Sequence, residues 1–278
     1  MIHRVGAIAV LGLLAVLAGG CNPEVTNGGN GGAVPSDGAQ RFRVAVRTEG
    51  VPAEKVDALV EAAAALLRRR LSIEGYASYR VEKGEGSQLA VAIGGDARPE
   101  DLRLLIEKSS SLAFRLEAGV EEYRDAVYPR KAPEGFRWFT KPVDPHDVVA
   151  GAGYRILAQE APAVDASGAV LAETVPGAKG TEVLISLTPA AIAALQAALL
   201  RASPNSRVAI TVNDVLVAAP QFGSRIDGSD VTLSGGYEND KAQAIAAGLN
   251  AAIVPRHLEF LTEQTLGPPL PDTADARR

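Results

Sequence analysis

Phe42-Arg-Val-Ala-Val-Arg47, Tyr76-Ala-Ser-Tyr-Arg-Val-Glu82, Gln88-Leu-Ala-Val-Ala-Ile93 and Leu112-Ala-Phe-Arg-Leu-Glu117 are the four stretches that decide the fold. They carry the apolar/polar alternation of strands with one buried face. Between the first two, Val56, Leu59, Val60, Ala63, Leu66, Leu67 and Leu71 keep the spacing of one helical face. That helix opens after Gly50-Val-Pro52, where proline suits a first turn, and Gly75 is its natural stop. Lys83-Gly-Glu-Gly86 signals a hairpin. Pro99 opens a second helix that turns Leu102, Leu105 and Ile106 inward. The order is βαββαβ, the split βαβ arrangement of ferredoxin-like folds. These residues predict an α+β protein with a ferredoxin-like base over residues 41–118. Helices 52–74 and 99–109 cover one face of its sheet, and Leu66, Leu105, Phe114 and Leu116 lie in the core.

Beyond this block the pattern breaks. Five of the thirteen aromatic residues, Tyr123, Tyr128, Phe136, Trp138 and Phe139, fall between Gly119 and Lys141, where Pro129 and Pro133 oppose long regular elements. Regular signals resume with strands at 154–158 and 183–187. Thr188-Pro189 then starts a helix, the hydroxyl serving as N-cap. Strands at 207–212 and 215–219 flank Asn213-Asp214, a two-residue turn. A strand at 231–233, a helix at 239–253 closed by Pro255, and a last strand from Leu258 complete the regular elements. The expected organisation is a head insertion over 119–256, with the strand in 257–268 returning to the base and a charged tail over 269–278.

The N-terminus reads as a targeting segment. Arg4 precedes an uncharged run from Val5 to Gly20 that is too short to span a bilayer comfortably, and small residues lead to Cys21. Ala18-Gly-Gly-Cys21 resembles a bacterial lipobox, in which the thiol is acylated and residues 1–20 are removed. Residues 21–40 are polar and glycine-rich, the composition of a flexible tether.

Composition excludes several classes of function. The 278 residues carry a formal charge of −5 and are 47% hydrophobic, within the globular range. An isoelectric point near 5.4 argues against a nucleic-acid-binding protein. One cysteine permits no intramolecular disulfide, and three histidines offer little to a zinc enzyme. Asp144-Pro-His146-Asp147 lacks further ligands at usable spacing and reads as a turn. No Gly-x-Ser-x-Gly elbow or Ser-x-x-Lys set is present. No catalytic residue, cofactor or metal site is expected. Arg68-Arg-Arg70 admits an anion-binding reading, although a solvated helix end accounts for it more simply.

The last ninety residues carry a family likeness. Val208-Ala-Ile-Thr-Val-Asn-Asp-Val-Leu-Val-Ala-Ala-Pro220, Ser234-Gly-Gly-Tyr-Glu-Asn-Asp-Lys-Ala-Gln243 and Leu258-Glu-Phe-Leu-Thr-Glu-Gln-Thr-Leu-Gly-Pro268 resemble, in order, motifs of SecD, the accessory subunit of the bacterial Sec protein translocase. Leu66-Leu-Arg-Arg-Arg-Leu-Ser-Ile-Glu-Gly75 and Leu112-Ala-Phe-Arg-Leu116 fit the same family upstream. The resemblance covers residues 41–268, the first large periplasmic domain with its base and head. Two departures stand out. The family's turn glycine is replaced at Asn213-Asp214, residue types that tolerate left-handed backbone. The family's membrane helix begins just after Gly267-Pro268, whereas this sequence stops at Arg278.

The lipobox-like N-terminus and the SecD resemblance together imply a module of the cell envelope, anchored by lipid at Cys21 and facing the periplasm or outer surface. No enzymatic activity is expected of it. Its partners are unfolded secretory polypeptide or Sec-type translocase components. Tyr123, Tyr128, Phe136, Trp138 and Phe139 are the candidate contact residues, since Tyr and Trp are enriched in interface hot spots. The same aromatics could instead form a small head core, with Trp138 the first candidate for burial. The competing functional readings are a small ligand-binding protein or hydrolase with a site in a head–base cleft, or a purely structural envelope lipoprotein.

Overall fold

The computed structural model describes residues 40–94, 97–141, 155–202, 206–221, 228 and 230–261. The signal segment with Cys21, the tether up to residue 39, Asp144-Pro-His146-Asp147, the end of the returning segment and the tail lie outside the described residues. The chain divides into two compact units.

The first unit holds residues 40–49, 56–108 and 257–261 of the described chain. It contains strands β1 (Gln40–Val46), β2 (Tyr79–Lys83), β3 (Gln88–Ile93) and β13 (Leu258–Leu261), with helices α1 (Val56–Ile73) and α2 (Pro99–Glu107). The sheet order is β13-β1-β3-β2 and every neighbouring pair is antiparallel, the strand order of the split βαβ fold. Both helices pack against the sheet and against each other. Phe42, Val44, Val46, Leu89, Val91 and Ile93 point to that side and are buried with Leu66, Leu71 and Leu105. Each such side chain contributes about 1.5–3 kcal/mol on burial.

Gly75 ends α1 in the left-handed region, at φ +84°, where a side chain would be strained. The arginine triplet is less solvated than expected. Arg68 donates to the Val81 carbonyl at 3.0 Å. Arg70 donates to the carbonyls of Leu105 at 2.7 Å, Ile106 at 3.1 Å and Lys108. It thereby satisfies carbonyls that the end of α2 leaves without helical partners. Burial lowers the Arg70 pKa to about 10. His257 is structural, its Nδ1 lying 3.0 Å from the Arg47 carbonyl.

The second unit holds residues 50–55 and 109–256. Its strands are β4 (Leu112–Leu116), β5 (Phe136–Thr140), β6 (Arg155–Gln159), β7 (Val164–Asp165), β8 (Ala169–Gly177), β9 (Gly180–Leu187), β10 (Val208–Val212), β11 (Val215–Ala218) and β12 (Asp230–Tyr237). Its helices are α3 (Val120–Asp125), α4 (Pro189–Arg201) and α5 (Asn239–Ile253). They form a four-stranded sheet β11-β10-β4-β7, a three-stranded sheet β12-β9-β8 and the hairpin β5-β6.

One expectation is corrected here. Leu112–Leu116 does not close the base sheet. It pairs antiparallel with β10 and β7, and β13 takes the place beside β1. The physical reason is two-sided burial. Leu112, Ala113, Phe114 and Leu116 are all buried, as suits a strand with a neighbour on each edge and a layer on each face. Leu112, Phe114 and Leu116 join Val208, Ile210 and Val212 in the main core with α4 and α5. Ala209 faces the other way, into a smaller core with Phe139, Ile156, Ala158 and Leu216.

Local signals elsewhere behave as read. The Thr188 hydroxyl accepts from Ala191 N at 3.2 Å and caps α4. Asn213 and Asp214 adopt φ of 48° and 63°, so the β10–β11 turn survives without glycine. The Asn213 amide oxygen also accepts from Ser111 N at 2.8 Å. Strand β8 was not anticipated, because its apolar residues run together and Pro176 interrupts them. It is the edge strand of its sheet, and a buried side chain of α5 bonds its backbone: Asn250 accepts from Ala172 N at 2.9 Å and donates to Ala172 O at 2.8 Å.

Candidate binding surface

The β5–β6 hairpin sorts the aromatic segment by face. Its register pairs Phe136 with Gln159, Trp138 with Leu157, and Thr140 with Arg155. Alternation places these six residues on one face and Arg137, Phe139, Ile156 and Ala158 on the other. The second face is the core side. Phe139 is 1% exposed, and the guanidinium groups of Arg115 and Arg137 lie 5.0 Å and 4.7 Å from its ring centre. Both arginines reach Asp214 Oδ1, at 3.6 and 2.5 Å. Phe139 is therefore core and offers nothing to a partner, a correction to its reading as a contact residue. Trp138, the expected core aromatic, is only half-buried.

The outer face carries a lip of aromatic rings. Trp138 meets Tyr123 edge-on at 5.8 Å and Tyr128 at 5.5 Å with an interplanar angle of 88°. Such edge-to-face geometry is the favoured arrangement of aromatic pairs. Trp138 Nε1 donates to the Lys131 carbonyl at 3.2 Å, which fixes the indole. Phe136 is half-buried on the same face. Tyr128 is 40% exposed, its neighbour Val127 is 56% exposed, and Val120 at the start of α3 is 67% exposed. Sequence reasoning overlooked these two valines. It also overlooked Arg155, whose guanidinium sits 4.5 Å from the centre of the Tyr128 ring.

An ionic clasp holds the lip in place. Glu117 follows β4, where the chain bonds the β10 side through its own N–H to the Arg207 carbonyl and bridges to Ala158 of β6. Its carboxylate accepts from Arg207 Nε at 2.9 Å, Arg207 Nη2 at 2.5 Å and Arg207 N at 3.2 Å. Tyr123 Oη donates to Glu117 Oε1 at 3.0 Å and accepts from Leu157 N at 3.1 Å. The tyrosine thus ties α3 to the hairpin and sets its ring against Trp138. Burial alone would raise the Glu117 pKa, but the bonds from Arg207 and Tyr123 outweigh it and hold the carboxyl below its ordinary range. Burial, with Glu117 nearby, pushes the Tyr123 hydroxyl up to about 12.

An open pocket of about 300 Å³ is lined by Ser111, Leu112, Asp165, Ala166, Ser167 and Arg256. Its carboxylate, Asp165, is engaged by Ser167 N at 2.7 Å and by the Ser167 hydroxyl. Among the described residues no group of three His, Cys, Asp or Glu side chains could hold a metal ion. No described helix is long and apolar enough to cross a membrane.

Fold and surface together define an α+β protein of two units, one of which displays an aromatic lip. No family model matches the chain. A stretch of 66 residues, 24% of the chain, is 33% identical to the protein translocase subunit SecD of Calditerrivibrio nitroreducens and spans 13% of that protein's length. The SecDF structure from Thermus thermophilus, described as a translocon-associated membrane protein, is 21% identical, with a TM-score of 0.39 over 80% of this chain and 30% of that one. A second SecDF structure, described as a membrane component that enhances protein export, is 18% identical, with a TM-score of 0.35 over 80% of this chain and 98% of that one. The chain is thus SecD-like in sequence over the matched stretch. Its fold is defined by the strand order above, since overlaps of this TM-score carry no argument.

Proposed function

We propose that this protein is a lipid-anchored, non-enzymatic SecD-like module of the cell envelope that takes part in protein export by holding segments of unfolded secretory polypeptide. Residues 1–20 serve as its signal, residues 21–40 as its tether, and the lip of Tyr128, Trp138 and Tyr123 as its contact surface. The observation that carries this reading is the aromatic surface itself: Tyr128 stands 40% exposed with its ring edge-on to a fixed indole. A flexible client loses chain entropy when held, so affinity per area is low. Acylation of Cys21 raises the concentration of the lip at the membrane and offsets part of that loss.

Titration of a reduced, unfolded secretory protein tests the lip. Wild type is expected to bind with a Kd of about 100 µM, roughly 5–6 kcal/mol. The Tyr128→Ala/Trp138→Ala variant, checked by circular dichroism to be folded, is expected to lose about tenfold or more. Equal binding by both, or none by wild type, overturns the reading. The anchor has its own check. Mass spectrometry of the mature protein should find acyl chains on Cys21, and Cys21→Ser should move the protein from the membrane to the soluble fraction. An unmodified thiol sinks the anchor and leaves the lip untouched.

A further inference from the structure

The lip is not purely apolar, and its one stacked cation has chemistry to spare. Arg155 lies at the start of β6, exposed, on the same hairpin face as Trp138 and Phe136. Its guanidinium carbon lies over the Tyr128 ring, 4.5 Å from the ring centre, while among the described residues it has no carboxylate partner. Neighbouring cations differ. Arg124 is bound to Glu121 at 2.8 Å, and Arg137 to Asp214 at 2.5 Å. A guanidinium stacked on an aromatic ring is held in orientation through its face, which leaves its planar N–H fork for an anion in its plane.

Resting on the proposed function of the lip, we infer that Arg155 gives this surface a preference for client segments that place a carboxylate next to an apolar or aromatic side chain. The apolar side chain packs on Trp138 and Tyr128, and the carboxylate takes the fork of Arg155. In an extended client, side chains two residues apart lie on one face about 7 Å apart, so the two groups can be served together. The preference is positional rather than a response to net charge. Glu122, Asp125 and Glu134 lie in the same stretch as Arg130 and Lys131, so no strong field of one sign surrounds the lip. An exposed guanidinium–carboxylate pair adds modestly to affinity, which makes this a selectivity element rather than the anchor.

Three synthetic peptides provide the test. They share an extended apolar core with one Trp and differ only two residues from it, where they carry Glu, Gln or Lys. Fluorescence titration of wild type should rank Glu tightest and Lys weakest, with about three- to fivefold between Glu and Gln, the range of an exposed ion pair. Arg155→Gln should bring the Glu peptide to the affinity of the Gln peptide and leave the Gln peptide unchanged. Equal affinity of all three peptides for wild type, or discrimination that survives Arg155→Gln, overturns the preference while the lip stands. No binding by any peptide overturns the lip and the preference together. Binding to vesicles of anionic phospholipid in place of every peptide reassigns the surface to the membrane and overturns both as well.

Discussion

Phe139→Ala is expected to unfold a large part of the head's stability, about 3–5 kcal/mol, the cost of truncating a fully buried aromatic. The ring is the largest member of the small core with Ile156, Ala158, Ala209 and Leu216. Its removal does more than open a cavity. The Arg115 and Arg137 guanidinium groups lose the aromatic ring they both contact. Arg115 is poorly placed to adapt, because its Nε is already buried without a partner. Trp138→Ala, one residue away and on the opposite face, is expected to cost no more than about half as much, since the indole is only half-buried. Urea unfolding of the two variants measures the difference. Equal losses would mean that the two faces of the hairpin are not the core and surface described above.

Glu117→Ala is expected to cost about 2 kcal/mol, the range for removing a charged acceptor from half-buried hydrogen bonds. Arg207 and the Tyr123 hydroxyl would lose their shared acceptor, and the tyrosine would lose the bond that orients it toward Trp138. Lip binding should weaken along with stability. The same clasp makes stability depend on pH. Glu117 is held below its ordinary carboxylate value in the folded state, so the unfolded state takes up its proton first as the pH falls. Its contribution is complete above the ordinary carboxylate range and is lost as pH drops through the depressed folded value. Tyr123 works at the other end. With its pKa raised from 10.0 to about 12, the unfolded state ionises first, and stability declines as pH rises between those values. Thermal melts of wild type and Glu117→Ala from neutral to acidic pH should converge as acid removes the wild-type advantage. Parallel curves would exclude Glu117 as the source.

The residues of the candidate surface were partly legible in the sequence. The concentration of aromatics in one short stretch points to the segment that carries it. Phe136-Arg-Trp-Phe-Thr140 alternates, and that period already separates Phe139 from Phe136 and Trp138. It does not say which set faces inward. That was decided by β4, β10 and β11, which bring Ala209 and Leu216 under Phe139. Arg155 and Tyr128 are far apart in sequence, and no local signal joins them. They meet because β6 returns along β5 in the register that sets Arg155 opposite Thr140.

The sequence by itself determined what short-range physical chemistry controls. Gly75 stops α1, Thr188 caps α4, and Asn213-Asp214 turns the hairpin, because each depends on one or two residues' own backbone and hydrogen-bonding preferences. It also determined the α+β class and the strand–helix order of the base. Only the tertiary structure decided which strands became neighbours. Alternation says that a strand has a buried side and is silent about its partner, so Leu112–Leu116 could be read equally well as closing the first sheet. Its place between β10 and β7, and that of Leu258–Leu261 beside β1, follow from packing that spans the whole chain. A strand with both faces buried needs a layer on each side. The head supplies α4 and α5 against one face and the β5–β6 hairpin against the other.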